Sequence, residues 1–165
     1  MLRLVRPALL LLLPLLLSCA SGSTSHWRPY IFNGTSFSPA DRTTSGTIWL
    51  RRGHFPAISD TPPADEHSNL LSPKTGAVAG ICYLQTSGGK LSGHTSFTPY
   101  PDEQITLKNE THGVLVTRTD KNGAFAEHLP TGVYELFCRG GHAVITIQHG
   151  ETTLTPIRGG KRMVD

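Results

Sequence analysis

Thr117 to Cys138 reads TRTDKNGAFAEHLPTGVYELFC, and this stretch decides the fold. Asn122-Gly123 supplies two neighbours that accept positive φ, as a tight turn matched to strand twist requires. Leu129-Pro130-Thr131-Gly132 fits a type I turn, with Pro setting φ at the second position and Gly at the fourth. Between and after these turns, Phe125, Leu129, Tyr134, Leu136 and Cys138 form the apolar phase of a period-2 pattern. The pattern predicts short strands joined as a β-meander, with no reactive constellation in it.

The same reading extends in both directions. Upstream, Ala77 to Leu84 is an apolar strand, Thr86 to Asp102 a long loop rich in Ser, Thr, Gly and Pro, and Glu103 to Asn109 alternates through Ile105 and Leu107. His112-Gly113 turns the chain into Val114 to Thr119. Downstream, His142 to Gln148 and Glu151 to Ile157 complete the set, and Pro156 places the last strand at an edge because it has no N–H to give a ladder. No segment shows a helical period. About seven short strands at close spacing predict an all-β, Greek-key β-sandwich.

The residues that carry this reading also match a known pattern. Gly76 to Gly80 (GAVAG), Ile105 to Leu107, Thr117 to Phe125 with Asp120, Asn122 and Gly123, and Leu129 to Leu136 with Pro130, Gly132 and Tyr134 together resemble the carboxypeptidase regulatory-like domain. The resemblance runs from Gly76 to Ile157. It implies a seven-stranded sandwich similar to transthyretin (prealbumin) and a non-catalytic role beside other proteins or sugars. The long Thr86–Asp102 loop departs from the family. Related adhesin domains carry Lys–Asn isopeptide bonds, but opposite Lys74 the stretch Ile145 to Ile157 offers no Asn or Asp.

The N-terminus reads as an export signal. Arg3 and Arg6 precede an apolar run, Ala8 to Leu17, that is shorter than the roughly 20 residues of a spanning helix. Leu16-Leu17-Ser18-Cys19 resembles the lipobox of bacterial lipoproteins. That likeness implies cleavage before Cys19, a diacylglycerol on its sulfur and an acyl chain such as palmitate on its amine, and several chains anchor stably where one does not. The alternative is an ordinary secretory signal cut near Ala20 or Gly22. Ala20 after the cysteine suggests the outer membrane of the cell envelope, facing the periplasm or the surface. The chain then divides into a signal at 1–18, a tether at 19–73, the sandwich at 74–158 and a tail at 159–165.

Two readings of the tether stand. Its Ser, Thr, Pro and Gly, and the extended Ser59 to Ser72 with Pro62-Pro63, suit a linker. Its aromatics, Trp27, Trp49 and Phe55, suit an accessory hairpin docked on the sandwich, since disordered segments are poor in aromatic residues.

Charge and chemistry narrow the function further. The chain has 15 Lys and Arg against 12 Asp and Glu, and loss of Arg3 and Arg6 leaves 13 against 12. No basic cluster suits a nucleic acid, and the Arg158–Arg162 stretch reads as a tail. With Cys19 lipidated, Cys82 and Cys138 remain as a pair on the inward phase of two strands in an oxidising compartment. We expect a disulfide across the sandwich, closing a loop of about 55 residues and stabilising it by roughly 4 kcal/mol. Two buried thiols packed as small hydrophobes are the alternative.

Histidines stand at positions 26, 54, 67, 94, 112, 128, 142 and 149, without the spacing that presents two ligands from one face, so no metal or other cofactor is expected. Asp120-Lys121-Asn122-Gly123 lacks the further oxygens of a calcium loop and reads as a turn. No nucleophile elbow or phosphate-binding glycine loop is present in the sequence. Phe97, Tyr100 and His94, in the Thr86–Asp102 loop, are the candidates for ligand contact, as flat faces for sugar rings or as packing over an open end of the sandwich. The expectation is a non-enzymatic, lipid-anchored envelope protein with a structural or protein-binding module. A carbohydrate- or peptidoglycan-binding module is the alternative, ahead of a metal-dependent hydrolase.

Overall fold

The structure, a computed structural model, describes residues 26–64, 69–86 and 96–160. Twelve strands in three sheets make up this part, with no helix among the described residues. The signal, Cys19 and His94 lie outside the described residues.

Strand β5 (Thr75–Gln85) is the axis of the molecule. Its sequence TGAVAGICYLQ is buried from Gly76 to Tyr83 without alternation, the signature of a strand covered on both faces. On one side it pairs in parallel with β12 (Thr152–Arg158), from Thr152↔Ala77 to Arg158↔Tyr83. On the other it pairs antiparallel with β9 (Ala124–Pro130), and further along with β6 (Phe97–Pro99). The sequence placed all strands in antiparallel layers and put Phe97–Pro99 in a loop. The structure corrects both points, so Thr75 to Arg158 carries one strand more than expected. β12 does lie at the sheet's end, as Pro156 requires.

The facing sheet has the order β11-β10-β7-β8, from β7 (Gln104–Asn109), β8 (Gly113–Arg118), β10 (Gly132–Cys138) and β11 (Gly141–Ile147). Between the two sheets lies the core: Val78, Cys82, Ile105, Leu107, Phe125, Leu129, Tyr134, Leu136, Cys138, Ile145, Ile147 and Ile157. Gly80 shares this face. A Cβ there would fall 2.1 Å from the Thr155 carbonyl oxygen and 2.8 Å from the Phe125 ring, so only glycine fits.

The meander expected around Asn122-Gly123 does not form. β8 and β9 belong to different sheets, and so do β9 and β10; both turns carry the chain across the core. Gly123 alone takes the left-handed conformation, at φ 71°. Asp120 stabilises the crossing by accepting the Asn122 and Ala124 amides at 2.8 and 2.9 Å on one carboxylate oxygen. Buried Thr119 locks it further, its hydroxyl donating to the Tyr100 carbonyl at 2.6 Å and accepting the Glu103 amide at 2.8 Å. The tight hairpin sits instead at Arg139-Gly140, between β10 and β11, with both residues at positive φ (45° and 79°).

The segment left open between a linker and a docked hairpin forms a third sheet, β2-β1-β3-β4, from β1 (Arg28–Phe32), β2 (Phe37–Pro39), β3 (Ile48–Leu50) and β4 (Ala57–Ile58). It covers the second face of β5, where Ala77, Ala79, Ile81 and Tyr83 are buried. Phe32 packs at a tilt on Tyr83 and edge-on against Phe97, at 4.6 and 4.8 Å between ring centroids. Ile48 and Trp49 are buried, with the Trp49 indole donating to the Ser59 carbonyl at 3.1 Å. Part of the expected linker is also paired: Phe55 donates to Asn69 at 2.8 Å and Leu71 to Gly53 at 2.9 Å through their backbones.

Candidate docking surface

Cys82 and Cys138 form a disulfide that ties β5 to β10 across the core, with Cα atoms 6.5 Å apart. Phe97 and Tyr100 turn inward from the long loop. The Phe97 ring closes on Phe32 and Tyr83, and the Tyr100 ring packs against the core beneath the Arg139 guanidinium, 4.7 Å from its centroid. Among the described residues, no three His, Cys, Asp or Glu side chains converge as a metal site would require.

Apart from Leu70, the exposed large apolar residues gather elsewhere, on the outer face and edge of the β11-β10-β7-β8 sheet. The β7–β8 hairpin is built from Asn109, whose side-chain oxygen accepts the Thr111 and His112 amides at 2.8 and 2.7 Å. Its amide nitrogen donates to the Val133 carbonyl at 2.7 Å and so pins the hairpin to β10. His112 stacks on Tyr134 with the rings 13° from parallel. The Tyr134 hydroxyl donates to the Pro130 carbonyl at 3.0 Å, and burial raises its pKa above the ordinary 10.0.

Register places Val144, Glu135, Lys108 and Val114 side by side on the outer face, with His142, Phe137, Thr106 and Val116 in the next row. Lys108 Nζ lies 5.0 Å from the centre of the Phe137 ring, which also stacks on His142. Val114, Val116, Val133 and Val144 are 63, 55, 57 and 60 % exposed. A groove of about 740 Å³ runs over Val114, Val133 and Val144 between Lys108, Glu110, His112 and Glu135.

β8 completes this surface as the sheet's last strand. In an antiparallel ladder, paired residues alternate between exchanging hydrogen bonds and not. Thr119 continues the pairing beyond β8 by donating its amide to Glu103, which assigns the odd-numbered residues of β8 to the bonds with β7. The amides and carbonyls of Val114, Val116 and Arg118 therefore point out of the sheet.

Comparison with protein-family models, with curated proteins and with solved structures found no match. The site thus stands on its own chemistry: an open row of peptide groups, flanked by valines, beside a groove with mixed charge. Sequence reasoning read Val114 to Thr119 as one strand among several. The overlooked signal was Val114-Leu115-Val116, which is apolar in both phases where a strand with one solvated face alternates.

Proposed function

We propose that this chain is a non-catalytic protein-binding module of the bacterial cell envelope, anchored through lipid on Cys19, with the β8 edge and its valine-bearing face as the docking surface. One observation carries the reading: Val114, Leu115 and Val116 are three consecutive exposed apolar residues on a terminal strand. Such an edge is a template for strand addition, where main-chain bonds give affinity and alternate side chains give selectivity. A Greek-key sandwich of the carboxypeptidase regulatory-like kind, which the Gly76–Ile157 pattern resembles, suits a role that presents surface and not chemistry.

Site-specific photocrosslinking in intact cells tests the docking surface. A crosslinker at Val116 is expected to trap a protein adduct, whereas one at Lys121, also exposed but at a sheet-crossing turn, is not. Equal yields from both positions would refute the assignment. For the anchor, Cys19→Ser is expected to release the protein from membranes into the soluble fraction.

A further inference from the structure

Native sheets protect their edges, and this molecule does so with proline. Proline lies in the terminal strands β2 (Pro39), β6 (Pro99), β9 (Pro130) and β12 (Pro156), and Pro56 directly precedes the two-residue β4. β11 is shielded differently. Its Gly141 sits so close to β12 that a Cβ would meet the Arg158 carbonyl at 2.1 Å, and the Thr153 hydroxyl donates to the Thr146 carbonyl at 2.9 Å. The sandwich is thus closed along β11 and β12. β8 has neither device: from Gly113 to Thr117 it holds no proline and no charge, and no strand among the described residues covers it.

We propose that β8 pairs antiparallel with β8 of a second copy of this chain about a two-fold axis at Leu115, joining the two four-stranded sheets into one of eight. This rests on the assignment of the β8 edge as the docking surface and names its partner. The parity of the strand restricts the register, and side-chain matching then selects it. Centring on Leu115 sets Val114 opposite Val116 of the second copy, and both have peptide groups directed outward, so these pairs exchange the ladder hydrogen bonds. Leu115 then faces its own symmetry mate on the inner side, where it is 39 % exposed in the single chain. The valines of both copies form one cluster on the outer face. The competing register, centred on Val116, sets Val114 against the charged Arg118 twice and is disfavoured. Such an interface is isologous and closes at two copies, so it does not lead to fibres. A short edge contact is smaller than the roughly 1,000 Å² of a stable complex, so the association is weak and concentration-dependent.

Register-specific cysteine crosslinking tests this in the full chain carrying Cys19→Ser. Leu115→Cys is expected to form a covalent dimer under mild oxidation. Val116→Cys alone is expected to stay monomeric, but to link when mixed with Val114→Cys. Sedimentation of the unmodified chain at up to about 1 mM should show monomer giving way to dimer, and Val114→Lys/Val116→Lys should weaken this by about tenfold or more. Absence of self-association at that concentration overturns the proposal, as does linking by Val116→Cys in preference to Leu115→Cys. A labelled extended peptide of alternating valine and threonine separates the two readings. Monomeric protein that binds this peptide at β8 retains the docking surface and loses the self-pairing; protein that neither dimerises nor binds it loses both.

Discussion

Replacing Cys82 and Cys138 together by alanine measures what the cross-sandwich disulfide contributes. The two half-cystines are 56 residues apart in sequence. On the chain-entropy model, a loop of that length removes about 14 cal/mol/K from the unfolded ensemble, or about 4 kcal/mol at 25 °C. Both residues are buried, and the backbone around Cys82 is held independently, its amide donating to Gly123 and its carbonyl accepting from Tyr100, each at 2.9 Å. The native sheets therefore have no need of the bridge for their hydrogen bonds, and the loss falls mainly on the unfolded side of the equilibrium. Urea titration followed by Trp49 fluorescence is the assay. With an m-value of about 2 kcal/mol/M, the midpoint is expected to fall by about 2 M. The reduced wild-type chain should behave like the double variant, to within the small packing cost of two lost sulfurs. A shift below about 0.5 M in both would refute the reasoning, because it would mean that the unfolded chain is already restrained without the bridge.

Gly80→Ala is expected to cost at least about 3 kcal/mol and to lower the thermal midpoint by more than about 10 °C, because the methyl meets a backbone carbonyl, not a yielding side-chain tip. An unchanged midpoint would show that β5 and β12 are not held in the register described. Tyr134→Phe removes one hydrogen bond and should cost about 1 kcal/mol at pH 7. Because burial raises the folded-state pKa of Tyr134, its contribution is fully present below pH 10.0 and declines as pH rises past that value, so the variant should show a flatter loss of stability in urea titrations between pH 9 and 11.

Strand identity was legible in the sequence; sheet membership was not. Alternation found β7, β10, β11 and β12 near their observed positions because each has one face on the core, and period 2 reports that directly. The Asn122-Gly123 and Pro130-Thr131-Gly132 turns were located correctly but read as hairpins. Turn chemistry states where the backbone reverses or bends, and Thr119 and Thr131 decide which layer receives the chain next through contacts distant in sequence. Arg139-Gly140 is the actual tight hairpin and was passed over, because arginine has no intrinsic preference for positive φ. Local composition leaves Phe97–Tyr100 open between a presented face and a packed one, because the partner of Phe97, Phe32, lies 65 residues earlier, beyond any local signal.

One rule accounts for both surprises, the third sheet and the open edge. A strand apolar in both phases needs cover on both faces, since exposing either leaves hydrocarbon in water. β5 is such a strand: Val78 and Cys82 face the core, while Ala77, Ala79, Ile81 and Tyr83 face the other way. The chain answers with its own third sheet, whose Phe32 packs on Tyr83 and whose Ile48 and Trp49 are buried. β8 poses the same demand with Leu115 on the inner phase and Val114 and Val116 on the outer one, and no described segment answers it. The prolines at the other edges show that an unprotected strand is the exception in this molecule. Under the self-pairing proposed above that cover comes from another chain, since the strand whose apolar positions match Val114, Leu115 and Val116 one for one, in antiparallel order, is β8 itself.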